Sequence, residues 1–248
     1  RFVRPDNMFL AVGGDFEPAE LIAKAEKHFG DWTAATPLDL PPSSRVDLRY
    51  EPGVSILPRS VTQSTVVLGH LGIDRSNPDR YAVQLLDIIL GGGGFTSRIM
   101  ERVRTEEGLA YSVASSFSTS SRELGLFRVT VQTKNENVPR AVRAILEEME
   151  RIREQPVSAA ELAGAQEAIA NSFVFRFTSR FSVVTQLLML EVDGYPSDHL
   201  ETLLDRYRAV TREDIRRVAR AYLRPDAAHI VIIGNAPSFE TATPGTLP

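Results

Sequence analysis

The chain has 248 residues, no cysteine and a formal net charge of −4. It therefore has no disulfide, thiolate nucleophile or cysteine-ligated zinc, and an acidic balance with no basic block argues against a nucleic-acid surface. Hydrophobic residues at 43% and charged residues at 24% suit a globular protein with a sizeable core, and no apolar run approaches the roughly 18 residues of a membrane span.

Arg1–Asp6 (Arg-Phe-Val-Arg-Pro-Asp) has the character of neither a signal nor a transit peptide. Residues 7–14 (Asn-Met-Phe-Leu-Ala-Val-Gly-Gly) read as a buried strand. Pro18 is a good first helical residue. A helix is predicted from there to Phe29, with Leu21, Ile22, Ala25 and Phe29 on one face and Gly30 as its stop. Residues 31–48 hold Pro37, Pro41, Pro42, Ser43 and Ser44 without period, which is linker composition. Val61–Leu68 reads as a strand, and Asn77-Pro78 as the start of a helix with Tyr81, Leu85, Ile88 and Ile89 as its buried stripe.

The stretch from Gly91 to Val113 organises the rest. Gly91, Gly92, Gly93 and Gly94 give a backbone that other groups can approach closely. Thr96 or Ser97 is placed to cap a short helix, with Ile99, Met100 and Val103 on its apolar side. Gly108 suits the left-handed residue that ends a helix. Arg104 then falls in the last helical turn and Tyr111 at the start of a strand, so both side chains can be aimed at one spot.

Two strands, Ala110–Thr119 and Leu124–Thr133, form a hairpin with a short turn at Ser120–Glu123. Phe127, Val129 and Val131 alternate with Arg128, Thr130 and Gln132, the period of a half-buried strand. Helices follow. One carries Val138, Val142, Ile145, Met149 and Ile152; the next opens on a capping box, Ser158-x-x-Glu161, and runs past Phe173. Others span roughly Phe181–Val192 and start near Ser197 and at Thr211, before a closing strand at His229–Ile233. A hairpin-rich sheet backed by several helices is α+β rather than doubly wound.

The two ends repeat. Residues 2–14 (Phe-Val-Arg-Pro-Asp-Asn-Met-Phe-Leu-Ala-Val-Gly-Gly) match residues 222–234 (Tyr-Leu-Arg-Pro-Asp-Ala-Ala-His-Ile-Val-Ile-Ile-Gly) in an aromatic-aliphatic-Arg-Pro-Asp lead followed by an apolar strand ending in Gly. Each copy reads as the last sheet strand of a domain.

No metal site is expected. His28, His70, His199 and His229 are scattered, and neither His-x-x-Glu-His nor its inverse occurs. Glu147, Glu148 and Glu150 read as the solvated face of an amphipathic helix. There is no Gly-x-Ser-x-Gly, and Ser112 has no base near it in sequence. The glycine run lacks the Gly-Lys-Ser/Thr ending of a phosphate loop. Arg104 and Tyr111 remain, and by themselves a lone arginine and tyrosine seven apart are more often structural, a surface ion pair with Glu107 and a hydroxyl-capped core tyrosine, than functional.

Leu-Asp-x-Ile-Leu-Gly-Gly-Gly-Gly-Phe-Thr-Ser-Arg-Ile followed by Val-Arg-Thr-Glu-Glu-Gly-Leu-Ala-Tyr-Ser-Val resembles the second homologous half of the insulinase/pitrilysin family of zinc metallopeptidases. Gln63, Glu161-Leu162, Val210-Thr211-x-Glu213-Asp214 and Tyr222-Leu223-Arg224-Pro225 fit the same pattern in order and spacing. The resemblance covers roughly residues 50–235. It implies one half of a two-half clam shell, with residues 1–35 as the tail of the preceding half, 36–49 as linker, 50–236 as the C-terminal non-metal domain and 237–248 as a terminal tail.

It further implies that zinc belongs to a His-x-x-Glu-His half, fused upstream or on a separate subunit, and that no cofactor binds this chain. The non-metal half would close a chamber around a peptide substrate and lend it Arg104 and Tyr111. In the non-catalytic subunit of mitochondrial processing peptidase, a substrate-engaging glycine-rich loop occupies the place of Gly91–Phe95. Here that stretch is shorter and fits a tight helix-start turn as well. The rival expectation is a scaffold relative that keeps the fold and has lost proteolysis.

Overall fold

The computed structural model describes residues 3–36, 51–120 and 123–235. The linker expected over 36–49, apart from Thr36, the tail over 237–248 and the middle of the Ser120–Glu123 turn lie outside the described residues. Internal contacts divide the chain into two units, Arg45–Ile169 with Leu203–Pro248 and Arg1–Ser44 with Ala170–Thr202.

The first unit is built on a five-stranded sheet from β1 (Gly53–Pro58), β2 (Gln63–Leu71), β4 (Ala110–Phe117), β6 (Leu126–Lys134) and β7 (His229–Gly234). Short strands β3 (Ile73–Asp74) and β5 (Thr119–Ser120) pair separately. The main order is β1-β7-β2-β6-β4, with β1 and β7 parallel and every other neighbour antiparallel. The expected hairpin is β4–β6, closing on Phe117 opposite Phe127. Alternation works as read: Phe127, Val129 and Val131 are buried while Arg128, Thr130 and Gln132 face out. β1 has no counterpart in the sequence reading: Val54-Ser55-Ile56 alternates for only three residues between Pro52-Gly53 and Pro58, too short a run to stand out as a strand.

Helices cover the sheet. They are α2 (Arg80–Asp87), α3 (Arg98–Met100), α4 (Val138–Glu154), the first part of α5 (Ala159–Phe173), the end of α7 (His199–Arg208) and α8 (Arg212–Tyr222). Val138, Val142, Ile145, Met149 and Ile152 of α4 are all buried, and α8 packs against both α2 and α4 through Ile215, Val218 and Ala219. Two capping boxes set the helix starts. Ser158 and Glu161 exchange bonds at 2.7 and 3.1 Å, and Thr211 and Asp214 at 3.0 and 3.1 Å.

Three local readings are corrected here. The strand expected from Val61 begins at Gln63, and Val61 is exposed. Asn77-Pro78 precedes the helix rather than starting it: the Asn77 Oδ1 accepts the Asp79 N–H at 2.9 Å, and α2 begins at Arg80. Glu148 is not on a solvated face. It is 3% exposed and held by Arg151 at 2.8 Å, and burial pushes its carboxyl up against the pull of Arg151, Arg98 and Arg102.

The second unit contains α1 (Pro18–Phe29), which keeps its predicted bounds, and α6 (Arg180–Val192), capped by Ser179 and Ser182. The buried strand expected over residues 7–14 is absent. After a 3-10 turn at Pro5–Asn7 the backbone stays extended at Met8, but Met8–Val12 pairs with no strand among the described residues, and Met8, Phe9, Leu10 and Val12 are exposed. The apolar face of α1 is likewise open, with Ile22 and Phe29 exposed. Gly30 stops α1 in a right-handed conformation. Among the described residues no single helix is long and apolar enough to cross a membrane.

Candidate functional site

The glycine stretch is a sequence of tight turns. After α2 the helix widens to π geometry over Ile88–Gly92, closed by the Gly93 N–H on the Ile88 carbonyl at 2.9 Å, then tightens to a 3-10 turn at Gly94–Thr96. Gly91 is buried against β4. A Cβ there would lie 2.6 Å from the Ser115 Oγ and 2.8 Å from the Ser115 backbone nitrogen, so only glycine fits. Gly94 has φ +65°, the left-handed value that delivers Phe95 to the surface. Gly92 is exposed and Gly93 half-buried.

Beneath this turn the Asp87 carboxylate accepts the Ser115 hydroxyl at 2.5 Å, tying the end of α2 to β4. Burial raises the Asp87 carboxyl, and the bond from Ser115 opposes it. Neither Thr96 nor Ser97 caps the next helix as expected. Both hydroxyls turn back to accept no N–H and instead donate to glycine carbonyls, Ser97 to Gly94 at 2.7 Å and Thr96 to Gly93 at 3.3 Å.

α3 runs on into a π-helical segment over Glu101–Glu106. Gly108, at φ +60°, ends it as anticipated, and the Leu109 N–H closes onto the Val103 carbonyl at 2.9 Å. Three arginines line this helix and have different fates. Arg98 is bidentate on Glu161 at 2.6 and 3.1 Å, and Arg102 reaches Glu106 at 3.1 Å and Glu107 at 3.0 Å. Burial would raise the Glu161 carboxyl, but Arg98 and Ser158 outweigh it and hold it at about 2. Glu107, the partner expected for Arg104, is taken by Arg102 and Arg140.

The Arg104 side chain has no hydrogen bond or ion pair among the described residues. Its guanidinium carbon lies 4.5 Å from the ring centre of Phe95 and 4.6 Å from that of Tyr111.

Tyr111 owes its position to a β-bulge. Ala110 pairs with Thr133 and Ser112 with the next residue, Gln132, so Tyr111 is an extra residue with no partner. Counted back from buried Val113 by strict alternation, Tyr111 would face the core. The bulge turns it out, to 81% exposure, and buries Ala110 instead. Thr133 fixes the strand start by donating to the Leu109 carbonyl at 2.6 Å. The core-tyrosine alternative is therefore removed.

The structure thus gathers Phe95, Arg104 and Tyr111 into one exposed cluster, with Gly92 and Gly94 at the surface beside Phe95 in the chain and Gly91 packed beneath. The sequence reading missed the bulge and the Asp87–Ser115 tie; the run Ala110-Tyr-Ser-Val113, with two consecutive positions facing out, is the only trace of the bulge. A groove of about 880 Å³ opens elsewhere, lined by Val54, Arg143, Glu147, Glu150 and Asp226, and no member of the cluster lines it. On this unit the cluster is open surface.

The sequence profile described as "Peptidase M16 inactive domain" matches residues 1–169, and the chain belongs to that family. An uncharacterized zinc protease of Streptomyces coelicolor is 26% identical over 224 residues, 88% of this chain and 48% of its own length. Another from Bacillus subtilis is 25% identical over 242 residues, 96% of this chain and 57% of its own length. A crystal structure of a peptidase M16 inactive domain from Pseudomonas fluorescens superposes with TM-score 0.76 at 27% identity, covering 90% of this chain and 52% of that one. The chain spans about half the length of these relatives.

Zinc, named in those relatives, finds no donor set among the described residues, where no three metal-binding side chains gather. Two of the histidines are held by protein groups. The His70 Nδ1 bonds to the Leu71 carbonyl at 2.8 Å and its Nε2 accepts the Arg224 N–H at 3.1 Å, while the His229 Nε2 bonds to Ser55 at 2.8 Å. These residues do not fit the metal.

Proposed function

We propose that this chain is the non-metal half of a zinc endopeptidase, completing a peptide-enclosing chamber opposite a His-x-x-Glu-His half that lies upstream in the same polypeptide or on a partner subunit. The observation that carries the reading is the pair Arg104 and Tyr111. One is the arginine of its helix left without a carboxylate, and the other is a tyrosine turned to solvent by a bulge.

The two side chains stack on each other at 4.6 Å on adjacent elements, which leaves the N–H edge of one and the hydroxyl of the other open to a common ligand. The N–H edge of Arg104 suits a peptide carbonyl or carboxylate. The Tyr111 hydroxyl suits an oxygen that gains charge as the peptide bond is attacked, where one positioned donor is worth about 3–4 kcal/mol. Residues 1–35 belong, in this reading, to the preceding half, and zinc is held by that half.

The test uses the full-length protein or the two-subunit assembly. Tyr111→Phe should lower kcat about 100-fold with KM within a few-fold, the signature of a contact made in the transition state. Unchanged kcat would remove Tyr111 from the reaction and favour a scaffold role. The 248-residue chain alone should bind no stoichiometric zinc and cleave nothing; metal-dependent proteolysis by that chain would overturn the division of labour.

A further inference from the structure

We propose that Phe95 is a specificity-determining residue that selects peptides able to lay a flat aromatic side chain on its open ring face, and disfavours those that would lay a lysine or arginine there. This rests on the reading of Arg104 and Tyr111 as substrate contacts. Phe95 is held out by the left-handed turn at Gly94 and is 71% exposed, a large apolar ring on a surface position. One of its faces is occupied by the Arg104 guanidinium at 4.5 Å, so the opposite face is the free one. The glycines that precede it offer no side chain to cover that face.

The cation decides what the free face accepts. A guanidinium on one side already draws on the negative face of the ring, and its charge repels a second cation arriving on the other. Glu106 and Glu107 give little relief, because Arg102 and Arg140 already hold them. A neutral aromatic ring stacks there without that penalty and gains more than an aliphatic side chain of similar area. Tyr111 also meets this guanidinium, at 4.6 Å, but in this reading it faces the peptide bond under attack, so the selection falls to Phe95. The N–H edge of Arg104 stays available for the carbonyl next to the selected side chain.

The experiment passes a randomised heptapeptide library over immobilised full-length protein stripped of metal with a chelator, and sequences the retained pool. Aromatic residues should be enriched about fivefold over leucine, and lysine and arginine depleted by about as much. Phe95→Leu should bring both ratios to within about twofold of unity, and Phe95→Tyr should restore the aromatic enrichment. An unbiased pool, no retention, or a bias that survives Phe95→Leu overturns the proposal. If the bias follows Phe95 while Tyr111→Phe leaves turnover unchanged, the reading of the catalytic role fails alone. If Tyr111→Phe slows turnover and the pool is unbiased, the selectivity proposal fails alone.

Discussion

Two segments of this chain share a sequence pattern and have opposite fates. Residues 222–234 make a 3-10 turn at Pro225–Ala227, closed by the Ala227 N–H on the Arg224 carbonyl at 3.1 Å, and then β7, hydrogen-bonded to β1 on one side and β2 on the other. Residues 3–14 make the same turn at Pro5–Asn7 with the same bond, Asn7 to Arg4 at 3.1 Å, and leave it extended as well. There the likeness ends. Ile230 is 6% exposed and its counterpart Leu10 is 67% exposed. The turn is local and its sequence suffices for it. The strand is a property of its neighbours, because ladder bonds and burial both come from other segments.

The largest expected effect lies in the paired copy. Ile232 is 1% exposed at the centre of the sheet, opposite Val66 of β2 and Ile56 of β1. Ile232→Ala should cost about 3 kcal/mol, the usual loss for a large-to-small change in a packed core. Urea unfolding of the 248-residue chain measures it as a fall in midpoint at constant slope. A loss below about 1 kcal/mol would mean that β7 contributes far less than its burial indicates, and the contrast with residues 2–14 would be weaker than it looks.

The same distinction explains what was legible in the sequence. Helices announce themselves locally: α1 kept its predicted bounds, the Ser158–Glu161 and Thr211–Asp214 boxes marked two starts, and Gly108 marked an end. Alternation in β6 gave its face. What escaped was set by partners distant in sequence. β1 is a strand because β7 lies beside it, and Tyr111 faces out because β6 offers one residue where β4 offers two. Glu148 read as surface because a glutamate on an acidic run usually is, but α4 turns that position inward. At the site, Arg104, Tyr111 and Phe95 were legible as residues, whereas their stacking and the lack of a carboxylate for Arg104 depend on where Glu107 and Glu161 point.

A smaller effect separates the two turns. The turn before β7 is pinned by a buried histidine, the His70 Nε2 accepting the Arg224 N–H, which requires the neutral ring with its proton on Nδ1. At the turn over Pro5–Asn7, Arg4 instead pairs with Asp6 at 2.7 Å and donates to the Thr36 carbonyl, bonds that do not depend on a histidine. Burial lowers the His70 pKa from its ordinary 6.5, opposed by the Leu71 carbonyl and helped by Arg224. A depressed value in the folded state means stability that is complete above about pH 6.5 and lost as pH falls through the folded value, by at most about 1.4 kcal/mol per pH unit. His70→Gln should flatten the slope of stability against pH between 7 and 5. An unaltered slope would show that the histidine does not distinguish the two turns.

The smallest effect is the most informative about what the unpaired copy is for. In the 248-residue chain Leu10→Ala should change stability by no more than about 0.5 kcal/mol, since the side chain buries little and the backbone makes no ladder bonds. The matched change in the other copy, Ile230→Ala, should cost several times as much. If residues 2–14 complete a sheet in the preceding half, Leu10→Ala measured in the full-length protein should rise to about 2–3 kcal/mol, the range of a buried aliphatic. The amides of Met8–Val12, quick to exchange in the 248-residue chain, should then become protected. Were Leu10→Ala to stay near zero in the full-length protein, the repeat would be a likeness of sequence and turn only, and a shared strand role for the two copies would have to be abandoned.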